Sequence, residues 1–134
     1  MAKLALAIIA KDEVKDIERI VKDYGKYFDE IAVAYDGDPK ELEHLAIKVF
    51  PYTWKNDFAD KRNYLASKID SEYYMRIDCD DEIENPQNIK EIFDLASSKE
   101  VDVVFVKYSY GFDEDGNCIS EHWRETIIKK RPDV

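Results

Sequence analysis

Short apolar runs alternate with stretches of helical periodicity along the chain. Leu4–Ile9 and Ile31–Tyr35 are near-continuous apolar runs, the pattern of strands that are buried on both faces of a sheet. Between them, apolar side chains recur every three or four residues from Val14 to Tyr24, which predicts an amphipathic helix that ends at Gly25. Further strands are predicted at Lys48–Pro51, Tyr73–Ile77, Val101–Tyr110 and Ile119–Lys130.

Three more helices are predicted between these strands. Asp38-Pro39 and Asn85-Pro86 each combine a capping residue with a proline suited to the first helical position, and Asp57 is a further cap. The positions expected to face inward are Leu42, Leu45 and Ala46, then Phe58, Leu65, Ala66 and Ile69, and then Ile89, Ile92, Phe93 and Ala96.

Strands that alternate with helices are typical of an α/β domain with a mainly parallel central sheet and helices on both faces. The turn-forming segment DEDGN at 113–117 lies between the last two strands, so these are expected to form a C-terminal β-hairpin. The pattern contains no repeat or linker, and residues 1–134 are therefore interpreted as one domain, either minimal or truncated from a longer enzyme.

Composition excludes several classes of function. The formal net charge of −10 argues against nonspecific binding of nucleic acid or of an anionic membrane surface. No apolar stretch reaches the roughly 20 residues needed for a transmembrane helix, and the amino terminus lacks the features of a signal peptide. The two cysteines, Cys79 and Cys118, could pair in a disulfide, but two isolated thiols more often indicate a reducing compartment, so a cytoplasmic location is expected.

The densest candidate chemistry is the acidic segment Asp78-Cys79-Asp80-Asp81-Glu82, which directly follows a predicted strand. Ligands of open α/β sheets bind at the carboxyl ends of strands. Closely spaced carboxylates need a cation to offset their repulsion, and hard oxygen ligands favour Mg²⁺ or Mn²⁺ over zinc. On the cluster alone, a solvated loop that caps the next helix is an equally good interpretation.

The ends of two other strands favour a binding site over a solvated loop. The first strand leads into Lys11-Asp12-Glu13 and the second into Asp36-Gly37-Asp38. In a parallel sheet these ends lie at the same edge as Asp78, which predicts a polar crevice with Arg62 nearby. Asp38 is better explained as a helix cap, whereas Asp36 directly follows an apolar strand.

Four segments in this order resemble family 2 glycosyltransferases of the GT-A fold. They are LAIIAKDE (6–13), DEIAVAYDG (29–37), FPYTWKNDFADKRNYLASKI (50–69) and YYMRIDCDDEI (73–83). They are similar to the subset with a K-N-E loop, a W-x-x-D-F-x-x-x-R-N helix start and an L-D-A-D-E metal motif. The resemblance implies a GT-A sandwich that binds a nucleotide-diphosphate sugar, with a UDP-sugar favoured.

The resemblance also implies roles for individual residues. Asp36 corresponds to the carboxylate that accepts a hydrogen bond from a uracil-type ring. Asp78 and Asp80 correspond to the D-x-D motif, in which the first residue lies near the ribose and the second binds a Mn²⁺ or Mg²⁺ ion that bridges the diphosphate. The remaining nucleotide-binding positions implied by the resemblance are Ala10, Lys11, Glu13, Arg62 and Asn63.

The function implied is metal-dependent, inverting transfer of a sugar to an acceptor hydroxyl that the sequence does not identify. Departures from the family pattern are Asp12 for asparagine, Asp81 for glutamate and a shortened loop after Tyr35. The segment that would carry the catalytic base is not evident. Glu121 and Glu125 are the candidates, although each is more often a surface residue, and His122 is better explained as structural. A non-catalytic nucleotide- or metal-binding module is therefore the alternative.

Overall fold

A computed structural model of the chain describes residues 3–11, 13–53, 58–79, 82–83, 85–112 and 118–130, with the side chains of all these except 58, 105–112 and 118–125. The strands are β1 (Leu4–Lys11), β2 (Glu30–Asp36), β3 (Lys48–Pro51), β4 (Tyr73–Asp78), β5 (Val103–Phe112) and β6 (Cys118–Lys129). The α-helices are α1 (Val14–Tyr24), α2 (Phe58–Lys68) and α3 (Ile89–Ser98).

The six strands form one sheet in the order β3-β2-β1-β4-β6-β5. Strands β1 to β4 run parallel, and β6 runs antiparallel between β4 and β5. The chain builds outward from β1 through β2 to β3 and then returns to place β4 on the other side of β1. The α/β architecture, the mainly parallel sheet and the C-terminal hairpin are thus confirmed, and the strand order reverses between β1 and β4.

The two faces of the sheet differ in the size of their side chains. On one face, Leu4, Leu6 and Ile8 of β1 pack in the main core with α1 and α3. The opposite face presents small side chains from β1 and β2 beneath α2, namely Ala5, Ala7, Ala32 and Ala34. Alanines leave little side chain between helix and sheet, so α2 lies close to the strands whose ends form the predicted crevice. The prediction of helices on both faces is confirmed.

The prediction of a helix after Asp38 is correct for the first turn only and is wrong for the residues that follow. The capping box is present, with Asp38 accepting from the amide of Lys40 at 3.0 Å and Glu41 accepting from the amide of Asp38 at 3.3 Å. However, only Pro39–Leu42 form a 3-10 turn, and residues 43–47 are turns and bends. Because β3 begins at Lys48, the segment is too short for a helix and a return to the sheet.

The boundaries of α3 also differ from the prediction. Asn85 has a left-handed backbone (φ 51°) and its side chain caps nothing, while Pro86 begins a 3-10 turn that leads into α3. At the other end, Glu100 takes a left-handed conformation (φ 53°) and Val101 donates to the Ala96 carbonyl, which closes the helix and delays β5 until Val103.

Most inward-facing positions are confirmed. Ile89, Phe93, Ala96, Leu65 and Ile69 are buried. Two positions expected to face inward are wrong: Ile92 on α3 is 39% exposed, and Ala46 is exposed because it lies in the bends that replace the predicted helix after Asp38. Three predictions lie outside the described part of the chain: the turn at 113–117, the cap at Asp57 and the inward-facing side chain of Phe58.

Candidate active site

Three charged residues occupy the carboxyl ends of adjacent strands. Each strand continues past its apolar run, so that Lys11, Asp36 and Asp78 are the last residues of β1, β2 and β4. Lys11 pairs with Asp36, and Asp78 pairs with Ile9. Along each strand, all three alternate in phase with the residues that face α2, such as Ala5, Ala7, Ala32 and Ala34, which form the alanine face of the sheet. They also lie where the strand order reverses. This is the position at which open α/β sheets bind ligands.

The pairing register sets the separation of the two aspartates. Asp36 and Asp78 lie on opposite sides of β1 and are offset by two residues along it. With strands about 4.8 Å apart and a rise of about 3.3 Å per residue, their Cα atoms are about 12 Å apart. Metal–oxygen bonds are only about 2.0–2.6 Å long, so both carboxylates are not expected to bind one ion. The arrangement instead offers two ends for an extended ligand.

The loop after β1 is held by its own side chain and by α2. The Glu13 carboxylate accepts a hydrogen bond from the backbone amide of Lys11 at 3.1 Å. The carbonyl of Ala10 accepts one from the Lys61 ammonium, also at 3.1 Å. Ala10, Lys11 and Glu13 therefore form a fixed rim beside Asp36. Asp12 lies outside the described residues.

Lys61 is a component of the crevice that the sequence interpretation missed. Its side chain is buried, with 2% exposure, and its ammonium lies 5.5 Å from the centre of the Tyr52 ring. Burial lowers the pKa of Lys61 from its ordinary value, and the neighbouring carboxylates of Asp36 and Glu13 and the thiol of Cys79 oppose that shift. The available signal was its spacing, four residues before the buried Leu65.

Arg62 and Asn63 point to different sides of α2. Arg62, half-buried, lines a narrow cavity against β1 and β4 together with Ile9 and Arg76. Asn63 is exposed and lines an open hollow of about 540 Å³ beside the end of β3, next to Tyr52. The structure thus brings Arg62 to the face that carries Asp78 and places Asn63 away from it.

The acidic segment after β4 is held at both ends by side chains of α1. Arg19 donates to the Cys79 carbonyl at 3.1 Å, and the backbone amide of Ile83 donates to the Tyr24 hydroxyl at 3.0 Å. Asp78 is half-buried at the end of β4. Asp80 and Asp81 lie outside the described residues, so their predicted roles stay predictions.

The described groups suit an oxygen-binding cation. The Cys79 thiol is buried on the other face, where it donates to the carbonyl of Ile9 at 3.6 Å, so it does not enter the crevice. Asp78 therefore presents carboxylate oxygens, the ligands of Mg²⁺ and Mn²⁺. Among the described residues no cluster of three His, Cys, Asp or Glu side chains is found, and the proposed second ligand, Asp80, is not among them.

The two candidate bases differ in their positions along β6. The β4–β6 ladder includes the pair Met75 and Ile127, and Glu125 lies two residues farther along β6 toward the strand end that bears Asp78. A β-bulge falls at this point, because Ile127 pairs with Val104 but Glu125 pairs with Phe105. Glu121 and His122 pair farther along the hairpin. The backbone therefore brings Glu125 nearer to the crevice than Glu121.

Comparisons with known proteins identify the same architecture. A family model described as glycosyl transferase family 2 matches residues 6–133. No curated protein matches the chain in sequence. No helix in the described part of the chain is long and apolar enough to cross a membrane.

Solved structures are similar in fold at low sequence identity. CMP:2-keto-3-deoxy-manno-octonic acid synthetase, complexed with CTP, gives a TM-score of 0.64 at 8% identity, covering 96% of this chain and 75% of that one. TarS 1-349 from S. aureus gives 0.59 at 19% identity, covering 75% of this chain and 34% of TarS. A 4-diphosphocytidyl-2C-methyl-D-erythritol synthase from Anaerococcus prevotii gives 0.62 at 10% identity, covering 96% and 70%. The chain has the GT-A fold.

Proposed function

The chain belongs to glycosyl transferase family 2, and we propose that residues 1–134 are one donor-binding domain that transfers a sugar from a nucleotide diphosphate, with inversion, to an acceptor hydroxyl. A UDP-sugar is the favoured donor. The observation that carries this proposal is the meeting of Lys11, Asp36 and Asp78 at the carboxyl ends of β1, β2 and β4. These three strand ends flank the point where the sheet order reverses.

The separation of the two aspartates orients the donor. Asp36 accepts a hydrogen bond from the ring N–H of a uracil-type base, since an ionised carboxylate is purely an acceptor. The rim of Ala10, Lys11 and Glu13 lies beside this base end. Asp78, about 12 Å away across β1, binds near the ribose and diphosphate. An extended donor therefore lies across the end of β1.

The diphosphate end contains most of the negative charge. Asp78 and Asp80 would hold a Mn²⁺ or Mg²⁺ ion there, and such an ion supplies charge stabilisation to the departing diphosphate. Arg62, on the same face as Asp78, adds a positive charge that does not depend on metal. A base removes the proton of the acceptor hydroxyl, whose oxygen attacks the anomeric carbon as the bond to the diphosphate breaks. Glu125 is the favoured base because of its place along β6.

A non-catalytic binding module is the alternative, because the sequence pattern does not identify the catalytic base beyond the candidates Glu121 and Glu125. The chain spans 34% of TarS 1-349. The fold by itself is shared with the CMP:2-keto-3-deoxy-manno-octonic acid synthetase and the 4-diphosphocytidyl-2C-methyl-D-erythritol synthase, so the choice of a glycosyltransferase rests on the family match. Both alternatives require the same donor site, and they differ in turnover.

Thermal unfolding with UDP, GDP or CDP, each with and without Mn²⁺, tests the donor site. A ligand at about 100 times its Kd stabilises the folded state by about 2.7 kcal/mol. We expect this shift with UDP plus Mn²⁺ and its loss in Asp80→Ala. The absence of a shift with every nucleotide would contradict the proposal. Hydrolysis of a UDP-sugar, abolished in Asp80→Ala, would then distinguish the enzyme from the binding module.

A further inference from the structure

One buried position of α2 is occupied by a charge. Lys61, Leu65 and Ile69 follow one another at four-residue spacing, and all are 2% exposed or less. An apolar side chain at position 61 would continue the buried stripe that Leu65 and Ile69 form. Burial of an ammonium is instead costly unless polar partners compensate it. The charge at this position therefore calls for an explanation beyond packing.

The surroundings of Lys61 link α2 to the ends of β1, β2 and β3. Its ammonium donates to the Ala10 carbonyl at the end of β1 and lies near the ring of Tyr52, just after β3. The titratable groups that act on it are Lys11, Glu13, Asp36 and Cys79. Asp36 exerts the strongest of the charge effects that counter the lowering of the Lys61 pKa by burial.

We propose that Lys61 is a positioning residue of the nucleotide site, which fixes the end of β1 and holds the Asp36 carboxylate ready for a base that carries a ring N–H. This inference rests on the function proposed above. Lys61 is 2% exposed and therefore too buried to be a main ligand contact, so it acts through its hydrogen bond to the Ala10 carbonyl and through its charge, which acts on Asp36. Uracil carries a ring N–H at position 3, whereas cytosine has an acceptor there, so Lys61 is expected to affect selectivity as well as affinity.

Isothermal titration of Lys61→Met with UDP and CDP in Mn²⁺ tests the proposal. We expect UDP affinity to fall by about tenfold or more, as for other residues that orient a ligand-binding group. The preference for UDP over CDP should also decrease. The unfolding temperature is expected to fall as well, because the substitution removes the donor to the Ala10 carbonyl and leaves it without that partner, so both affinities are measured at a temperature at which the variant is fully folded. Lys61→Arg, which keeps the charge, should restore most of the affinity.

Lys68→Met is the matched control, because it makes the same substitution on the same helix at an exposed position that stacks on Tyr64. It should bind UDP like the wild type. Unchanged UDP affinity and selectivity in Lys61→Met would overturn the proposal. A loss of affinity in the folded Lys61→Met variant that Lys61→Arg does not rescue would also overturn it, in favour of a packing role.

A measurement without nucleotide separates this proposal from the proposed function. In protein with ¹³C-labelled lysine, Asp36→Asn should lower the pKa of Lys61 further, because it removes the strongest opposing charge. An unchanged Lys61 pKa would refute the coupling to Asp36 even if UDP binds normally. A wild type that binds no nucleotide would instead refute the proposed function, and the role of Lys61 in the donor site with it, whatever the coupling to Asp36.

Discussion

Glu30 joins three segments at the amino ends of the strands, opposite the proposed donor site. One carboxylate oxygen accepts from the amides of Asp70 and Ser71 at 3.0 and 2.6 Å and from the Ser71 hydroxyl at 2.6 Å. The other oxygen accepts from the Lys48 ammonium at 2.7 Å. The Glu30 side chain is only 10% exposed. Glu30→Ala therefore leaves the donors of the loop between α2 and β4, and the Lys48 ammonium of β3, without this acceptor.

The expected loss of stability follows from these contacts. Hydrogen bonds to a charged group contribute about 1.5–3 kcal/mol each, but contacts of one carboxylate are not independent. Lys48 is 45% exposed and keeps Asp70 as a partner at 2.9 Å, so Asp70 and water can replace the hydrogen bond that it loses. Ser71 is only 4% exposed, so water replaces the lost hydrogen bonds of its amide and hydroxyl less well. We expect Glu30→Ala to lower the free energy of unfolding by about 3 kcal/mol.

Urea unfolding followed by tryptophan fluorescence measures this change. Glu18→Ala is the control, because its pair with His44 is exposed on both sides, and it should cost less than about 1 kcal/mol. UDP affinity of the folded Glu30→Ala variant should match that of the wild type, since Glu30 lies at the other end of the strands. A loss below about 1 kcal/mol would refute the reasoning about Ser71.

The pH dependence gives a second check with a definite sign. Burial tends to raise the pKa of Glu30, but hydrogen bonds from Lys48 and Ser71 outweigh it and lower the pKa from the ordinary value of 4.5. A lowered pKa in the folded state means that the ionised carboxylate stabilises the fold above pH 4.5 and that this contribution is lost as the pH falls further. The stability difference between wild type and Glu30→Gln should therefore shrink below pH 4.5. A constant difference would contradict the assignment.

Further predictions concern the site and the face beneath α2. Arg19→Met removes the donor to the Cys79 carbonyl, and Mn²⁺ affinity measured by titration in the presence of UDP should fall about tenfold. Ala34→Leu adds volume at a fully buried position beneath α2 and should cost about 1–3 kcal/mol in thermal unfolding. Arg62→Met should weaken UDP binding in the same titration about tenfold, whereas Asn63→Ala, beside β3, should leave it nearly unchanged. Uridine should bind equally with and without Mn²⁺, while UDP should bind more tightly with it.

The strands, and the edge of the sheet that carries the candidate site, could be predicted from the sequence for a physical reason. Strands of a parallel sheet are buried on both faces, so Leu4–Ile9 and Ile31–Tyr35 are apolar throughout and easily recognised. Parallel strands with helical crossovers bring their carboxyl ends to one edge. That rule alone predicts the grouping of Lys11, Asp36 and Asp78, which the pairing register confirms.

The features that were missed depend on distances that the sequence does not contain. The turn after Asp38 carries a sound capping signal, but a cap does not determine how soon β3 must begin. Lys61 looks like an exposed helix residue because lysine usually is one, and its burial depends on how closely α2 approaches the alanine face. Similarly, Arg62 and Asn63 are adjacent in sequence but are turned about 100° apart around the helix, so they reach different surfaces.

The two ends of the proposed donor site differ in how their charge is balanced. At the base end, Asp36 lies near a buried ammonium that the fold itself supplies, so this end is charge-compensated before any ligand arrives. At the phosphate end, Asp78 begins a segment with four carboxylates in five positions, and the nearby Arg19 bonds to a backbone carbonyl. A diphosphate adds further negative charge there. Metal dependence should therefore arise from the diphosphate end, while recognition of the base depends on groups that the chain has already placed.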